Sequence, residues 1–432
     1  MPAAQSSPVD PAIGQLLAVA QSLGQERAHL LPVLAAVPDP RARRGVRHRL
    51  AVILGLAVCA VLAGARSFTA IGEWAADADQ GTREALGITG AVPCESTFRR
   101  TLQLLDADAL DAAAGSWAQQ RTVPAAGIRR AVAVDGKTLR GSGTADGPGR
   151  HLLSALDHGH GVVLAQADVE AKTNEIPMFG TVLDRIDLAG AVVTADALHA
   201  QRGHAGYLAE RGAHYLLIVK HNQPGLHAQL AALPWRQVPV AHDVRGKGHG
   251  RAERRTLKVT AVAAGLGFPH AAQAIQIVGR RRPLTGKNTK KWSTQTVCAI
   301  TSLTALQAQP AELARLARGH WFIEARLHRV RDVVCDEDRS QVRAGNGPRV
   351  MASLRNLAIA ILRLTGHASI AAALRYHARR PSRPLQTIMQ CQSGLLPGPC
   401  RSGCLCCHLG RHRPGVPLRV SSAGMDPVGL PR

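Results

Sequence analysis

Aromatic residues make up only 3% of this 432-residue chain, and lysine supplies just eight of its 53 basic positions. Acidic residues are also few, 30 against those 53, which leaves a formal net charge of +23. A surplus of that size predicts attraction to polyanions, nucleic acid first and anionic membrane second. Arginine-rich, alanine-rich composition also arises without functional demand, so charge alone does not decide the partner. Long apolar runs are missing: the longest, Leu50 to Ala65, holds 16 residues with Gly55 and Gly64 inside it. A membrane-spanning helix needs roughly 20 apolar residues, so this run reads as a buried helix. Met1 to Gly24 lacks a basic cap followed by an apolar stretch and a cleavage site, so a cytoplasmic, nucleoid-associated location without membrane attachment is expected. Cys59, Cys94, Cys298 and Cys335 are scattered, and the other five of the nine cysteines crowd into the last 42 residues. That spacing gives neither a disulfide framework nor a paired zinc knuckle.

What the chain does contain divides it into segments. Apolar residues recur at helical spacing in Ile13–Leu23, Leu50–Leu62 and Ala109–Trp117, which predicts a helical N-terminal domain over residues 1–120. From Ile128 the texture changes to short β-type runs alternating with helices. Ala131–Asp135, Leu152–Leu156 and Val162–Val169 read as strands, the last two joined by the turn Asp157–Gly161, whose His158 and His160 need no metal. A helix is expected from the Thr173/Asn174 cap to Ile186, with Glu175 at its positive end. Strand Ala191–Thr194, helix Gln201–Glu210 and strand Tyr215–Lys220 complete a mixed α/β sheet. Basic loops and β-type runs at Leu257–Val262, Ala274–Val278 and Thr294–Ile300 suggest a β-rich insertion over about 221–309, inside a catalytic domain spanning 125–378. Pro310 suits the start of a long helix to about Val334, and Val350–Leu364 reads as another. Residues 379–432, rich in Pro, Gly, Cys and Arg, are expected to be a disordered tail.

Three acids stand out by position. Asp135 and Asp196 each close a short apolar strand, and burying an unpaired carboxylate there costs on the order of several kcal/mol, so each needs a cation or a metal. A strand-end Asp that merely caps a turn remains the plainer account of either residue alone. Glu324 is placed by helical geometry: at about 100° per residue, Leu316, Ile323, Leu327, Val330 and Val334 share one stripe, flanked by His320, Glu324, His328 and Arg331. If Asp135, Asp196 and Glu324 converge, a few hard oxygen ligands suit Mg²⁺ or Mn²⁺ rather than zinc. Two such ions roughly 3.5–4 Å apart promote in-line phosphoryl displacement. Lys137, Arg140, Lys220 and Arg331, with His320 and His328 beside them, are then the residues expected against a DNA backbone. Glu175 is a possible fourth acid, for which the helix-start role is the more economical account. Trp321 is equally compatible with stacking on an extruded base and with core packing. Gly136-Lys137-Thr138 resembles the end of a phosphate loop, but Ala131 stands where that motif needs glycine.

These residues sit in a longer series of motifs: Pro38-Asp39-Pro40-Arg41 through Arg47-His48-Arg49-Leu50, Cys94-Glu95-Ser96-Thr97-Phe98, and Ala133-Val134-Asp135-Gly136-Lys137-Thr138-Leu139-Arg140-Gly141-Ser142. Lys172-Thr173-Asn174-Glu175-Ile176, Thr194-Ala195-Asp196-Ala197, Asn222-Gln223, Gly248-His249-Gly250-Arg251, His320-Trp321-Phe322-Ile323-Glu324 and Glu337-Asp338 to Asn346 follow in order. From about residue 30 to 388 the chain resembles the H-repeat-associated (ISAs-type) DDE transposases of bacterial insertion sequences. The resemblance implies a ribonuclease H-like catalytic domain, a metal-binding triad of Asp135, Asp196 and Glu324, a helical accessory domain and a β-rich insertion before the third acid. It further implies double-stranded DNA as partner, at element ends and target, and a homodimer or higher assembly holding two ends. The sequence departs from the family pattern at Ala325, Arg329 and His221. An active transposase, a DNA-binding relic with impaired catalysis, and a nuclease that cuts without joining are therefore all compatible with the sequence.

Overall fold

The computed structural model describes residues 29–393, apart from 45, 146, 171–173, 249, 263–265, 287–288 and 290. The pattern at Ile13–Leu23, His249, Lys172-Thr173 and the cysteine cluster of the tail lie outside the described residues. Among the described residues, six helices come first: α1 (Leu30–Ala35), α2 (Leu50–Leu62), α3 (Phe68–Ala76), α4 (Gln80–Ala85), α5 (Glu95–Leu104) and α6 (Ala107–Arg121). Nearly every residue of α2 is buried, as its uniformly apolar sequence requires. Among the described residues no helix is long and apolar enough to cross a membrane.

Next come β1 (Ala131–Thr138), β2 (His151–Asp157), β3 (Val163–Val169), α7 (Met178–Leu183), β4 (Val192–Ala195), α8 (Arg202–Glu210) and β5 (His214–Val219). Helix α9 (Pro224–Ala232) leads into β6 (His242–Gly248), β7 (Arg251–Ala261), β8 (Gln273–Pro283) and β9 (Ser293–Thr301). Among the described residues, all nine strands form one sheet in the order β3-β2-β1-β4-β5-β9-β8-β7-β6. Strands β1, β4 and β5 run parallel at its centre, with antiparallel strands on both sides, so the architecture is mixed α/β. The expected β-rich insertion does not stand apart: β9 pairs with β5 and continues the same sheet.

Strand alternation divides the sheet between two cores. Tyr215, Leu217 and Val219 of β5 join the large core that also contains α2, α5, α6 and α11 (Gly347–Leu364). Leu216 and Ile218 face the other way, onto Leu313 and Leu316 of α10 (Pro310–His320). The N-terminal helices therefore share a core with the sheet. Gly115 permits this, because a Cβ there would overlap the Leu164 carbonyl of β3. Arg349 of α11 anchors α6 through Asp108 at 2.6 Å and Asp111 at 3.1 Å.

Three sequence expectations are corrected. The helix expected from Thr173/Asn174 is only α7, because Pro177 disfavours helical backbone at Ile176. The long helix expected from Pro310 to Val334 is α-helical only to His320; wider π-helical turns follow at Ile323–His328 and Val330–Val334, where the Cys335 N–H reaches back five residues to the Val330 carbonyl. Finally, the tail does not begin at residue 379: after α12 (Ile370–His377), residues Ser382–Ser393 form α13, with Leu385 and Ile388 buried in the main core.

Candidate active site

The central parallel strands bring two of the three predicted acids to one edge of the sheet. Val134 of β1 pairs with Ala195 of β4, so Asp135 and Asp196 are the next residues along adjacent strands. Asp196 follows β4 directly, as expected, and its carboxylate accepts a hydrogen bond from the Leu198 N–H at 2.9 Å. Asp135 does not end its strand. Pairing with β2 carries β1 on to Thr138, with Gly136, Lys137 and Thr138 opposite Leu153, Leu152 and His151.

Glu324 arrives from the π-helical segment. Ligand atoms of Asp135, Glu324 and His328 lie within 4.8 Å of one another. His328 Nδ1 is 3.5 Å from Asp135 and 3.8 Å from Glu324. Asp196 is outside that tight group but acts on it electrostatically. Burial first, then the charges of Glu324, Glu175 and Asp196, push the Asp135 carboxyl up to about 8. Glu324 is 63% exposed, and the neighbouring His328 ring, 3.8 Å away, holds it below the usual carboxylate range. The cluster thus combines a half-buried carboxyl that resists ionisation with an exposed one that favours it. Among the described residues it is the one group of three or more His, Cys, Asp or Glu placed to hold a metal ion.

The predicted cationic partners separate into two sets. Arg140 is 79% exposed, 3.7 Å from Asp338, and Lys220 is exposed just beyond β5, so both remain accessible on the acidic edge. The other four are buried. Lys137 is 8% exposed and ion-paired with Asp332 at 2.5 Å, which ties β1 to the π-helical segment. Arg331 is fully buried, 2.9 Å from Glu337, which also pairs with Arg355 at 2.9 Å. His320 is buried beside Thr194, and burial lowers it to about 4. His328 is buried as well, against the acids. In this arrangement none of the four side chains faces solvent. The helical wheel placed His328 and Arg331 at the rim of the core face, whereas the wider turns bring both inward.

Glu175 is the functional candidate that sequence reasoning discounted. It does not start a helix; it lies in a bend beside β1, accepting hydrogen bonds from His151 at 2.9 Å and His199 at 3.1 Å. Its sequence signal was the pairing of an acid with a proline two residues on, which cuts the helix short. Trp321 is 44% exposed. His158 is buried at the β2–β3 turn, hydrogen-bonded to Thr194 at 2.9 Å. Ala325 and Arg329 are exposed, and the His221 ring lies 4.2 Å from that of His227.

Asp135 makes the site pH-dependent with a defined sign. Its folded value, about 8, is above the reference 3.8, so between these limits the folded chain binds the extra proton. Stability contributed by Asp135 is therefore lost as pH rises from about 4 to 8. In EDTA, wild type is expected to lose more stability than Asp135→Asn between pH 5 and pH 8.5 by urea denaturation. Parallel pH profiles would show that Asp135 ionises normally.

Residues 126–361 match the family described as Transposase DDE domain, and residues 31–118 match the family described as DDE_Tnp_1-associated. The first match covers more than half of the chain, which therefore belongs to the DDE transposases. The chain is 30% identical over 347 residues to the Escherichia coli O157:H7 protein named "Putative transposase YncI", covering 77% of this chain and 87% of that one. It is 28% identical over 354 residues to the "H repeat-associated putative transposase YhhI" of Escherichia coli K12, covering 78% of this chain and 91% of that one. A Xanthobacter autotrophicus protein described by its position in the dhlA 3′ region is 32% identical over 285 residues, covering 63% of this chain and 94% of that one.

Proposed function

We propose that this transposase cleaves DNA at the ends of an insertion sequence and joins the resulting 3′-hydroxyls to target DNA, using divalent metal held by Asp135, Asp196 and Glu324. The observation that carries the proposal is the carboxylate cluster itself, in which neighbouring negative charge and burial hold Asp135 up to about 8. A divalent cation would relieve that repulsion, and a set of hard carboxylate oxygens suits Mg²⁺ or Mn²⁺. When bound, the metal supplies charge that activates an attacking oxygen and stabilises the departing 3′-oxygen.

The protein's own part is positioning. Strand pairing fixes Asp135 relative to Asp196, while the Lys137–Asp332 ion pair holds the segment that carries Glu324. The exposure of Glu324 leaves the site open to a polymer, and Arg140 and Lys220 on the same edge are suited to hold phosphates. The sheet order β3-β2-β1-β4-β5, three antiparallel strands followed by two parallel ones, supports a ribonuclease H-like reading of this domain. Two element ends have to be held together for transposition, so a homodimer or higher assembly on DNA is part of the proposal.

The direct test is a labelled duplex carrying the element's own terminal repeats, incubated with Mg²⁺, Mn²⁺ or EDTA. Metal-dependent 3′-hydroxyl products, and joined products once target DNA is added, are expected. Cleavage without joining would identify an endonuclease, and binding without cleavage in any metal would identify an impaired relic. Affinity is also expected to drop about a thousandfold between 50 and 200 mM salt if some six phosphates are contacted, as the exposed Arg140, Lys220, Arg245, Lys247, Arg280 and Arg281 permit. A salt-independent affinity by fluorescence anisotropy would rule out backbone contacts as its main source.

A further inference from the structure

The turn that carries Asp196 is fastened from both sides. Asp196 caps a short turn, Ala197–His199. From the β5 side, the Asn222 side chain donates to the Ala197 carbonyl at 2.6 Å. From the β1 side the link is a chain of side chains. The Thr138 hydroxyl donates to His151 Nδ1 at 2.8 Å, and His151 Nε2 donates to one oxygen of Glu175 at 2.9 Å. The other oxygen of Glu175 accepts from His199 Nε2 at 3.1 Å. Since an ionised carboxylate can only accept, both imidazoles present an Nε2–H to Glu175.

The surroundings are built around this chain. His199 is buried, with the Phe179 ring 5.1 Å away, and Phe179 in turn stacks on His204 at 4.0 Å. Gly136, the residue after Asp135, has no side chain where one would be fatal to the arrangement: a Cβ there would overlap the Glu175 carboxylate and come within 2.6 Å of His151 Nε2. Glu175 therefore packs against the backbone of β1 at the position next to Asp135 while gripping the last residue of the Asp196 turn. Hydrogen bonds from His151 and His199 outweigh burial and hold Glu175 at about 2, so it remains an ionised acceptor for both.

We propose that Glu175 is a positioning residue: through His151 and His199 it sets the separation of Asp135 and Asp196, and so the capacity of those two carboxylates to share a divalent cation. This rests on the metal site proposed above and adds a residue that acts on it through its neighbours. A carboxylate that accepts from two histidines at once is not replaced by an amide, whose oxygen can accept from one imidazole while its nitrogen cannot accept from the other. Coupling of this kind is visible as non-additivity between Glu175 and His199.

The experiment measures Mn²⁺ affinity of the full-length protein by electron paramagnetic resonance, alongside cleavage kinetics. Glu175→Gln and His199→Ala are each expected to weaken Mn²⁺ binding at least tenfold and to lower kcat, with KM for duplex unchanged within twofold. The double variant should be no worse than either single one, and His199→Gln, which keeps an N–H toward Glu175, should recover most of the affinity. Gly136→Ala provides an independent route to the same loss if His199→Ala does not fold. Wild-type Mn²⁺ affinity in Glu175→Gln overturns the proposal. So does loss of binding in Glu175→Gln with His199→Ala and Gly136→Ala unaffected, which would make Glu175 a direct ligand. Failure of the wild type itself to bind Mn²⁺ would instead remove the proposed metal site, and this inference with it.

Discussion

Glu324→Gln is expected to reduce metal-dependent cleavage by a factor of about 1,000 or more while leaving duplex binding within twofold of wild type. A thousandfold loss corresponds to about 4 kcal/mol of transition-state stabilisation, a reasonable share for one of three carboxylates around a metal. The substitution keeps the side chain's size, and Glu324 is exposed, so the thermal unfolding midpoint should hardly move. It also has a signature that a folding defect would not produce. The Glu324 charge is one of the causes that raise Asp135, so its removal should shift the pH midpoint of Mn²⁺ binding downward. Undiminished cleavage by Glu324→Gln would exclude it from the metal site.

The second large effect concerns stability. Glu337 is almost completely buried between Arg331 and Arg355, each 2.9 Å away. Burial would raise its carboxyl, but the two guanidinium groups outweigh burial and hold it below the usual range. Replacing Glu337 with Gln leaves two buried positive charges facing each other without an anion. Breaking such a group costs about 3–5 kcal/mol. Equilibrium urea denaturation should show that loss, and an unchanged midpoint would mean that water reaches the two arginines. Replacing all three residues with apolar side chains of similar volume should recover much of the stability. This triad packs beneath the segment that presents Glu324, so Glu337→Gln should also lower activity, in proportion to the unfolded fraction at the assay temperature.

Much of the molecule was legible in sequence because the relevant signals are local. Helices α2, α6 and α11 and strands β2, β3, β4 and β5 follow from apolar periodicity and from the glycines and prolines between them. Asp196 was correctly placed after its strand for the same reason. The nine-stranded sheet was not legible, since β9 joins β5 across more than seventy residues and nothing in either strand specifies its partner. Nor was α13, whose Leu385 and Ile388 lie among prolines and arginines that suggest disorder.

The same division runs through the site. Residue type and spacing determined which acids are present and that they flank short apolar strands, because a carboxylate next to a buried strand must find a partner wherever the chain folds. The tertiary structure decided which groups are those partners. Wide turns after His320 carry His328 and Arg331 into the interior, and Lys137 is ion-paired with Asp332. Glu175, set aside as a helix start, came to rest against Gly136 between two histidines. Sequence fixes the charge a side chain can carry, but whether that charge meets solvent, another side chain or a substrate depends on burial and on contacts between distant segments, which only the folded chain defines.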